Sequence, residues 1–515
     1  MRDAEARRRI AEDLDVSLVV EAAAGTGKTT ALIGRMIAIL RRGRARLEEI
    51  VAVTFTEKAS GEMKLRLRAE LERARAEADV PEERARFEAA LAELEAARIG
   101  TIHAFCAYLL RERPVEAGVD PALELLTDGQ EAGLIGRAFS RWFERTLADP
   151  PEGVRRVLRR RGGPRAQLLK AARDLVGRRD HPAEWRRDPW DRDAAIDACV
   201  ESIRGVAALA ELASAPNDKL AHNLSRLGRW LAELDAREEI RARDHDGLEA
   251  ELYDLRTDRE IWKHRWFGQW YGEGLLRQDV LARRDALAEE LDRFLERAGA
   301  DLAPVLARDL RPVVDAYEQL KARSGTLDFL DLLIRARDLI QADASVRAEL
   351  RARFAYFFVD EFQDTDPLQA EILLMLATDG DVPADGMLAE GAPPPAPGKL
   401  FVVGDPKQSI YRFRRADVSL YERIKERLVA QGVVHLELST SFRARPDIQR
   451  AINAAFAPIM QGSETGAQAR YVPLGEHRPP PDGRPSVVAL SVPRPYGRWG
   501  KIYKYAVSDS AADAT

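Results

Sequence analysis

The chain has 515 residues, a formal net charge of −5 and 45% hydrophobic residues. That length predicts two to four domains, and that composition a globular protein able to bury real cores. The charge excludes a bulk polycation, so any affinity for nucleic acid has to come from local basic surface. Two cysteines, Cys106 and Cys199, stand far apart with no CxxC or histidine partner pattern. That argues against a zinc or iron–sulfur site and for a reducing compartment. No apolar run approaches the roughly 20 residues of a membrane helix, and the opening MRDAEARRRIAEDLD is too charged for a secretory signal. The expected setting is cytoplasmic, with no membrane partner.

In chain order, SLVVE (17–21) is a short apolar, β-branched run that predicts a buried strand of a parallel sheet. AAAGTGKTT follows, then ALIGRMIAILRRG with helical apolar spacing and Gly43 at its end. Strand, glycine-rich turn and helix together predict a P-loop for a nucleoside triphosphate. Its cradle is Ala22, Ala23, Ala24, Gly25, Thr26, Gly27, Lys28, Thr29 and Thr30. Gly25 and Gly27 let backbone N–H groups approach phosphates, and the helix N-terminus adds its positive dipole end. Lys28 reaches the β- and γ-phosphates, and the Thr29 hydroxyl can hold Mg2+. Arg35, further along the same helix, either approaches the base or is a plain surface arginine.

IVAVTF is the next strand, with Thr54, Phe55 and Thr56 leaving it at the C-terminal edge of the sheet. Hydroxyls there can bond DNA phosphates. Phe55 either fills core or stacks on a base, an interaction worth about 1–3 kcal/mol that tolerates any sequence. The Ala/Glu/Arg-rich stretch 70–98 predicts one or two strong helices. Residues 115 to 350 read as mostly helical. Within them VRRVLRRRGGPR (154–165) either binds phosphate or is a solvated helix face. Trp262, Trp266 and Trp270, four apart, predict one helical stripe, packed in a core in preference to stacking on bases.

AYFFVDEFQDTDP (355–367) is another apolar strand with acids at its C-terminal end, which in a parallel sheet faces the ligand crevice. Asp360 can hold Mg2+ through water, and Glu361 is placed to polarise the attacking water. A Pro/Gly-rich loop (379–399) then leads to LFVVGDPKQSIYRFRRAD (400–417). Gln408 can hydrogen-bond the γ-phosphate. Tyr411 and Phe413, among Arg412, Arg414 and Arg415, can touch DNA bases, or form a basic edge with a packed tyrosine. One short loop could thus report on both nucleotide and DNA.

With these motifs in order, the sequence resembles the UvrD and RecB helicases of superfamily 1. EAAAGTGKTT and DEFQDTDP look closest to the RecB and AddA branch. VAVTFTEKASGEMKLRLR (51–68), GTIHAFC (100–106), GTLDFLDLL (325–333), LFVVGDPKQSIYRFRRAD and LSTSFRARPDI (438–448) are similar to further motifs of that family. The resemblance implies an α/β protein with a RecA-like P-loop sheet from 1–114 and 345–435, a helical insertion at 115–344, and the start of a second RecA-like domain at 436–515. It implies ATP and Mg2+ as cofactors and DNA contacts at Thr101 and His103. It also implies Arg443 as an arginine finger, a role worth about 10³–10⁵ in rate. The pattern departs at Ser441 and Ala444, where the family has Asn and Ser. No glutamine that could read adenine precedes Gln130, and Ala6 lies near that slot by spacing.

The implied activity is that of a 3′ to 5′ DNA helicase of repair and recombination. Its partners would be single-stranded DNA, duplex junctions and the other subunits of a RecB/AddA-like complex. The later motifs of the family are not found, so the chain is expected to be the front of a longer enzyme, either a piece of one or a naturally short protein. The alternative is an ATP- and DNA-binding module dependent on a partner chain. A third reading, a P-loop ATPase unrelated to DNA, is opposed by the aromatic–arginine loop 411–415.

Overall fold

The computed structural model describes residues 3–181, 185–262, 268–410, 418–462, 469–479 and 486–488. They form two compact units, Met1–Ala122 with Asp331–Thr515, and Leu123–Leu330.

The first unit is built on six parallel strands: β1 (Leu18–Ala22), β2 (Ile50–Thr54), β3 (Arg98–Thr101), β4 (Tyr356–Val359), β5 (Leu400–Gly404) and β6 (Val434–Leu438). They lie in the order β6-β1-β5-β4-β2-β3, and every neighbouring pair is parallel. A parallel sheet is covered on both faces, so its strands read as continuous apolar runs. IVAVT and LFVVG are buried at every position. Helices α1 (Ala4–Glu12), α2 (Lys28–Arg41) and α3 (Glu57–Glu77) belong to this unit. Leu32, Ile33, Met36 and Ile39 of α2 share one core with Leu18, Val20, Ala52, Phe358 and Phe401 of the sheet and with Met63 and Leu67 of α3. Each of the larger side chains contributes about 1.5–3 kcal/mol when fully buried.

Parallel strands bring their C-terminal ends to one edge. The P-loop, Thr54–Thr56, Thr101, Asp360–Glu361 and Asp405–Gln408 therefore leave the sheet on the same side. That edge is where an α/β sheet binds its ligand.

Two expected boundaries shift. The helical unit is shorter at both ends than 115–344. Residues 115–122 and 331–344 fall in the first unit, where Arg113 pairs with Glu349 and Arg353 of the helix Ala344–Arg353 pairs with Glu112 at 2.8 Å. The second boundary, expected at 436, falls inside β6. Leu436 and Leu438 point into the first core and pair in register with Val20 and Ala22. After Leu438 the described residues add a helix, Pro446–Phe456, and a two-residue parallel pairing of Thr440–Ser441 with Gly475–Glu476.

In the helical unit two cores lie along one 48-residue helix, Arg277–Ser324. Val280, Leu287 and Leu291 join one core, and Leu302, Leu310 and Tyr317 the other. The basic run 154–165 is a row of paired charges here. Arg155 meets Asp246 at 2.8 Å, Arg159 meets Asp244 at 3.1 Å and Arg161 meets Asp254 at 3.1 Å. Arg156 is fully buried between Glu249 at 2.9 Å and Asp301 at 2.7 Å. Apart from buried Arg156, these arginines form an exposed, solvated face whose charges are paired with acids.

The tryptophan stripe does not form. Trp262 is buried after the helix His245–Thr257 ends, with its Nε1 donating to the Leu255 carbonyl at 2.9 Å. Trp270 opens a short strand, Trp270–Gly272, and is exposed. Trp266 lies outside the described residues.

Candidate nucleotide site

The loop 22–30 has the geometry its glycines allow. Gly25 and Gly27 take φ of 76° and 84°, in the left-handed region that L side chains avoid. A Cβ on Gly25 would also stand 2.6 Å from the Cβ of Arg443, so the position is closed to larger residues twice over. Thr26 is fully buried and ties the loop shut, its hydroxyl donating to the Ala23 carbonyl at 2.7 Å. Ala22 and Ala23 are buried; Ala24 and Thr30 are exposed. Helix α2 begins at Lys28 with no side-chain cap, leaving the first amides of its opening turn for a ligand.

Lys28 and the acids of β4 converge. Lys28 Nζ lies 2.6 Å from Glu361 Oε2. The Thr29 hydroxyl faces Asp360 Oδ2 at 3.5 Å. Glu361 has φ 54°, the single non-glycine residue in the left-handed region among the described residues. Such a backbone persists only where neighbours hold it. Here Lys28 and the Gln363 amide, which donates to Glu361 Oε2 at 2.8 Å, hold the side chain. Burial, with the charge of Glu361 adding to it, pushes the Asp360 carboxyl up to about 6 against the partial opposition of Lys28. Asp364 is raised to about 6 by the same two causes.

The turn after β5 is wired to this cluster. Gln408 Nε2 donates to Asp405 Oδ2 at 2.6 Å, and Lys407 Nζ lies 2.8 Å from Asp405 Oδ1. The Asp405 amide donates to Gln363 Oε1 at 2.8 Å, and the Ser409 hydroxyl to the Gln363 carbonyl at 3.2 Å. Gln363 thus joins Glu361 to the turn that carries Gln408. Sequence reasoning passed over Gln363 and Asp405. The repeated polar residues of DEFQD and GDPKQ, each on a strand end, were the available signal.

The Arg443 segment lies on the P-loop: the Phe442 amide donates to the Gly25 carbonyl at 2.8 Å, and Arg443 itself is exposed. Arg35 is placed otherwise than expected. It is fully buried and spends its guanidinium on the carbonyls of Ile10 at 2.9 Å, Asp13 at 3.1 Å and Val16 at 2.8 Å. It fastens α1 to α2 and reaches neither a base nor the surface, because it shares the buried face of α2 with Leu32, Met36 and Ile39.

The candidate DNA residues occupy the same edge. Thr54 is buried, and its hydroxyl has no hydrogen-bond partner among the described residues. Thr54 and half-buried Phe55 line a cleft with Ile102, Asp360, Glu361 and Gln369. Thr56 caps α3, accepting from the Ala59 amide at 3.1 Å. Thr101 caps the helix Ile102–Glu112 and donates to Glu57 at 2.9 Å. His103 is half-buried, and burial pushes its imidazole pKa down against the pull of Glu57. Tyr411, Phe413 and the arginines 412, 414 and 415 lie outside the described residues.

The donor set fits a hard cation. A hydroxyl and a desolvated carboxylate, Thr29 and Asp360, face each other beside a phosphate-type cradle, and oxygen ligands of this kind suit Mg2+. A parallel sheet with a P-loop, a strand-end acid pair and a third polar turn defines a RecA-like nucleotide-binding fold. More narrowly, the chain belongs to the UvrD/REP helicase N-terminal domain family, whose model matches residues 3–428.

Three relatives place it further. The chain is 27% identical over 493 residues to an ATP-dependent helicase/nuclease subunit of Syntrophomonas wolfei, covering 86% of this chain and 37% of the relative. It is 27% identical over 506 residues to the protein of the same name in Anoxybacillus flavithermus, covering 88% and 40%. To the RecBCD enzyme subunit RecB of Escherichia coli it is 28% identical over 480 residues, covering 85% and 38%. The chain thus spans about two-fifths of the length of these relatives. Among the described residues no helix is long and apolar enough to cross a membrane.

Proposed function

We propose that this chain carries the ATP-binding machinery of an ATP-dependent DNA helicase or translocase of repair and recombination, moving 3′ to 5′ and stimulated by single-stranded DNA. The observation that carries the proposal is the continuous polar line from Lys28 through Glu361 and Gln363 to Asp405 and Gln408. It runs from the phosphate cradle to the turn that enters the aromatic–arginine loop.

In this reading the P-loop amides and Lys28 bind the β- and γ-phosphates, and Lys28 leaves Glu361 to do so. Freed, Glu361 accepts a proton from the attacking water, while Gln363 keeps its carboxylate oriented. Gln408 senses the γ-phosphate. Arg443, whose backbone rests on Gly25, turns its side chain to the charge that develops there. Thr29 and Asp360 would hold Mg2+, which supplies electrostatic neutralisation of the phosphates. Thr54, Phe55, Thr56, Thr101, His103, Tyr411 and Phe413 grip single-stranded DNA or the strand at a duplex junction by stacking and phosphate contact. The segment after Leu438 begins the second RecA-like domain. The relatives are named as subunits, and we extend to this chain a role beside partner subunits.

Nucleotide binding by the purified chain tests the reading. The wild type should bind an Mg2+-loaded ATP analogue, and Lys28→Ala should weaken that binding by about 10–100-fold, the worth of charge-assisted bonds to phosphate. Equal affinity in the two proteins would remove the P-loop assignment.

A further inference from the structure

Helix α1 brings to the nucleotide site two residues that no sequence motif marks. Its N-terminal turn carries Asp3 and Arg7, one helical turn apart and paired at 2.8 Å. Asp3 has its side chain 1% exposed. Its Oδ2 accepts from the Ser439 amide at 3.1 Å and the Thr440 amide at 3.0 Å, and its Oδ1 from the Thr440 hydroxyl at 2.7 Å. Arg7 donates to the carbonyl of Thr26, inside the P-loop, at 2.8 Å. Its guanidinium also covers the Phe442 ring at 4.9 Å. The Phe442 amide bonds the Gly25 carbonyl, which closes a loop of contacts: Thr26, Arg7, Asp3, Thr440, Phe442, Gly25. Arg35 locks the other end of α1 against α2 through the carbonyls of Ile10 and Asp13.

This arrangement is more specific than a general staple. Both segments it joins flank the γ-phosphate position, one through Gly25 and Lys28, the other through Arg443. Burial by itself would raise the Asp3 carboxyl, but the bonds from Arg7 and Thr440 hold it down to about 2, so the carboxylate is charged wherever the protein is folded and active. A planar guanidinium can serve a carbonyl, a carboxylate and an aromatic face at once, which an ammonium cannot.

We propose that Asp3 and Arg7 form a latch that positions the Arg443 segment against the P-loop, making them positioning residues for recognition of the γ-phosphate. The inference rests on the nucleotide reading above and adds to it. The latch transmits position, so its loss should change the preference for triphosphate over diphosphate and not nucleotide affinity in general.

The test is the ratio of the Kd for Mg·ADP to the Kd for a non-hydrolysable Mg·ATP analogue. It is read on the whole chain by displacement of a fluorescent adenine nucleotide. Arg7→Ala should lower that ratio about fivefold, and Arg443→Ala by a similar factor. In the double variant the ratio should fall no further, because both changes remove one contact. Arg7→Lys should fall between wild type and Arg7→Ala. Should Arg7→Ala not fold, Asp3→Asn, which keeps size and loses the charge, should lower the ratio in its place. A ratio within twofold of wild type in a folded Arg7→Ala or Asp3→Asn variant, or effects of Arg7→Ala and Arg443→Ala that simply multiply, would overturn the latch while leaving the nucleotide site standing. A wild-type chain that binds neither nucleotide would instead overturn the function proposed above, and the latch with it.

Discussion

Two sets of buried carboxylates in this molecule look alike by burial and opposite by charge. In the helical unit Asp301 accepts from Arg156 and Arg187, each at 2.7 Å, and Asp328 from Arg179 at 2.7 Å and Tyr317 at 2.6 Å. Burial alone would raise both acids. For Asp301 the bonds from Arg187 and Arg156 outweigh it, and for Asp328 the charges of Arg179 and Lys321 do, so both are held below the usual carboxylate range. At the tip of β4, Asp360 and Asp364 are buried to the same degree. The nearby cation, Lys28, bonds Glu361, and both acids rise to about 6. Paired acids hold a fold together. Acids left short of positive charge in a cleft mark a place built for a cationic ligand. For these four acids the sign of the shift follows whether an arginine bonds the carboxylate.

The largest effect that would break this contrast is in the helical unit. Arg156→Ala leaves Glu249 and Asp301 facing each other without their buried guanidinium. Arg187 still bonds Asp301 and Arg192 still reaches Glu249, so the cost in denaturant unfolding should sit at the low end for a broken buried pair, about 3 kcal/mol. Nucleotide affinity should stay at wild type. A loss under about 1 kcal/mol, the usual worth of a solvated pair, would mean the contrast is false.

Asp360→Asn should act with the opposite sign. The folded carboxyl titrates near 6, above the ordinary 3.8. Its charged form therefore costs stability above about pH 6, and that cost fades as pH falls from 6 to 3.8 and is gone below it. At about pH 8 the asparagine variant should be more stable by about 1–2 kcal/mol while Mg2+-dependent nucleotide binding drops. By about pH 3.5 the stability gain should have vanished. Thermal unfolding across that range checks it, and a variant destabilised at the alkaline end would place Asp360 with the structural acids.

Much of the first unit was legible because its signals are local. A strand, a Gly25–Gly27 turn and a helix follow one another from Leu18 to Arg41, and so carry their own context. The same holds for β4 with Asp360 and β5 with Gln408. What failed depended on partners far away in the chain. Arg35 reads as an exposed cation until the carbonyls at the end of α1 are folded beneath it, although its place among Leu32, Met36 and Ile39 already marked a buried face. The basic run 154–165 left phosphate binding and a solvated face open because its acids lie at 244–254 and 301. The tryptophan spacing suggested a helix, but YGEG at 271–274 carries the glycines of a hairpin, and Trp270 opens that strand pair. Asp3 and Arg7 were invisible for the same reason as Arg35: their partners at 439–442 lie at the far end of the chain.

The function proposed above requires that the nucleotide cluster, through Gln363 and Asp405, be coupled to DNA binding. The direct measurement is the affinity of the purified chain for a fluorescent single-stranded oligonucleotide, with and without saturating Mg2+-loaded ATP analogue, at fixed salt. Linked sites must change each other's affinity, and a coupling of the usual size is about 5-fold or more. The account predicts such a shift in the wild type and its loss in Gln363→Ala. Identical DNA affinity with and without nucleotide in the wild type would contradict it.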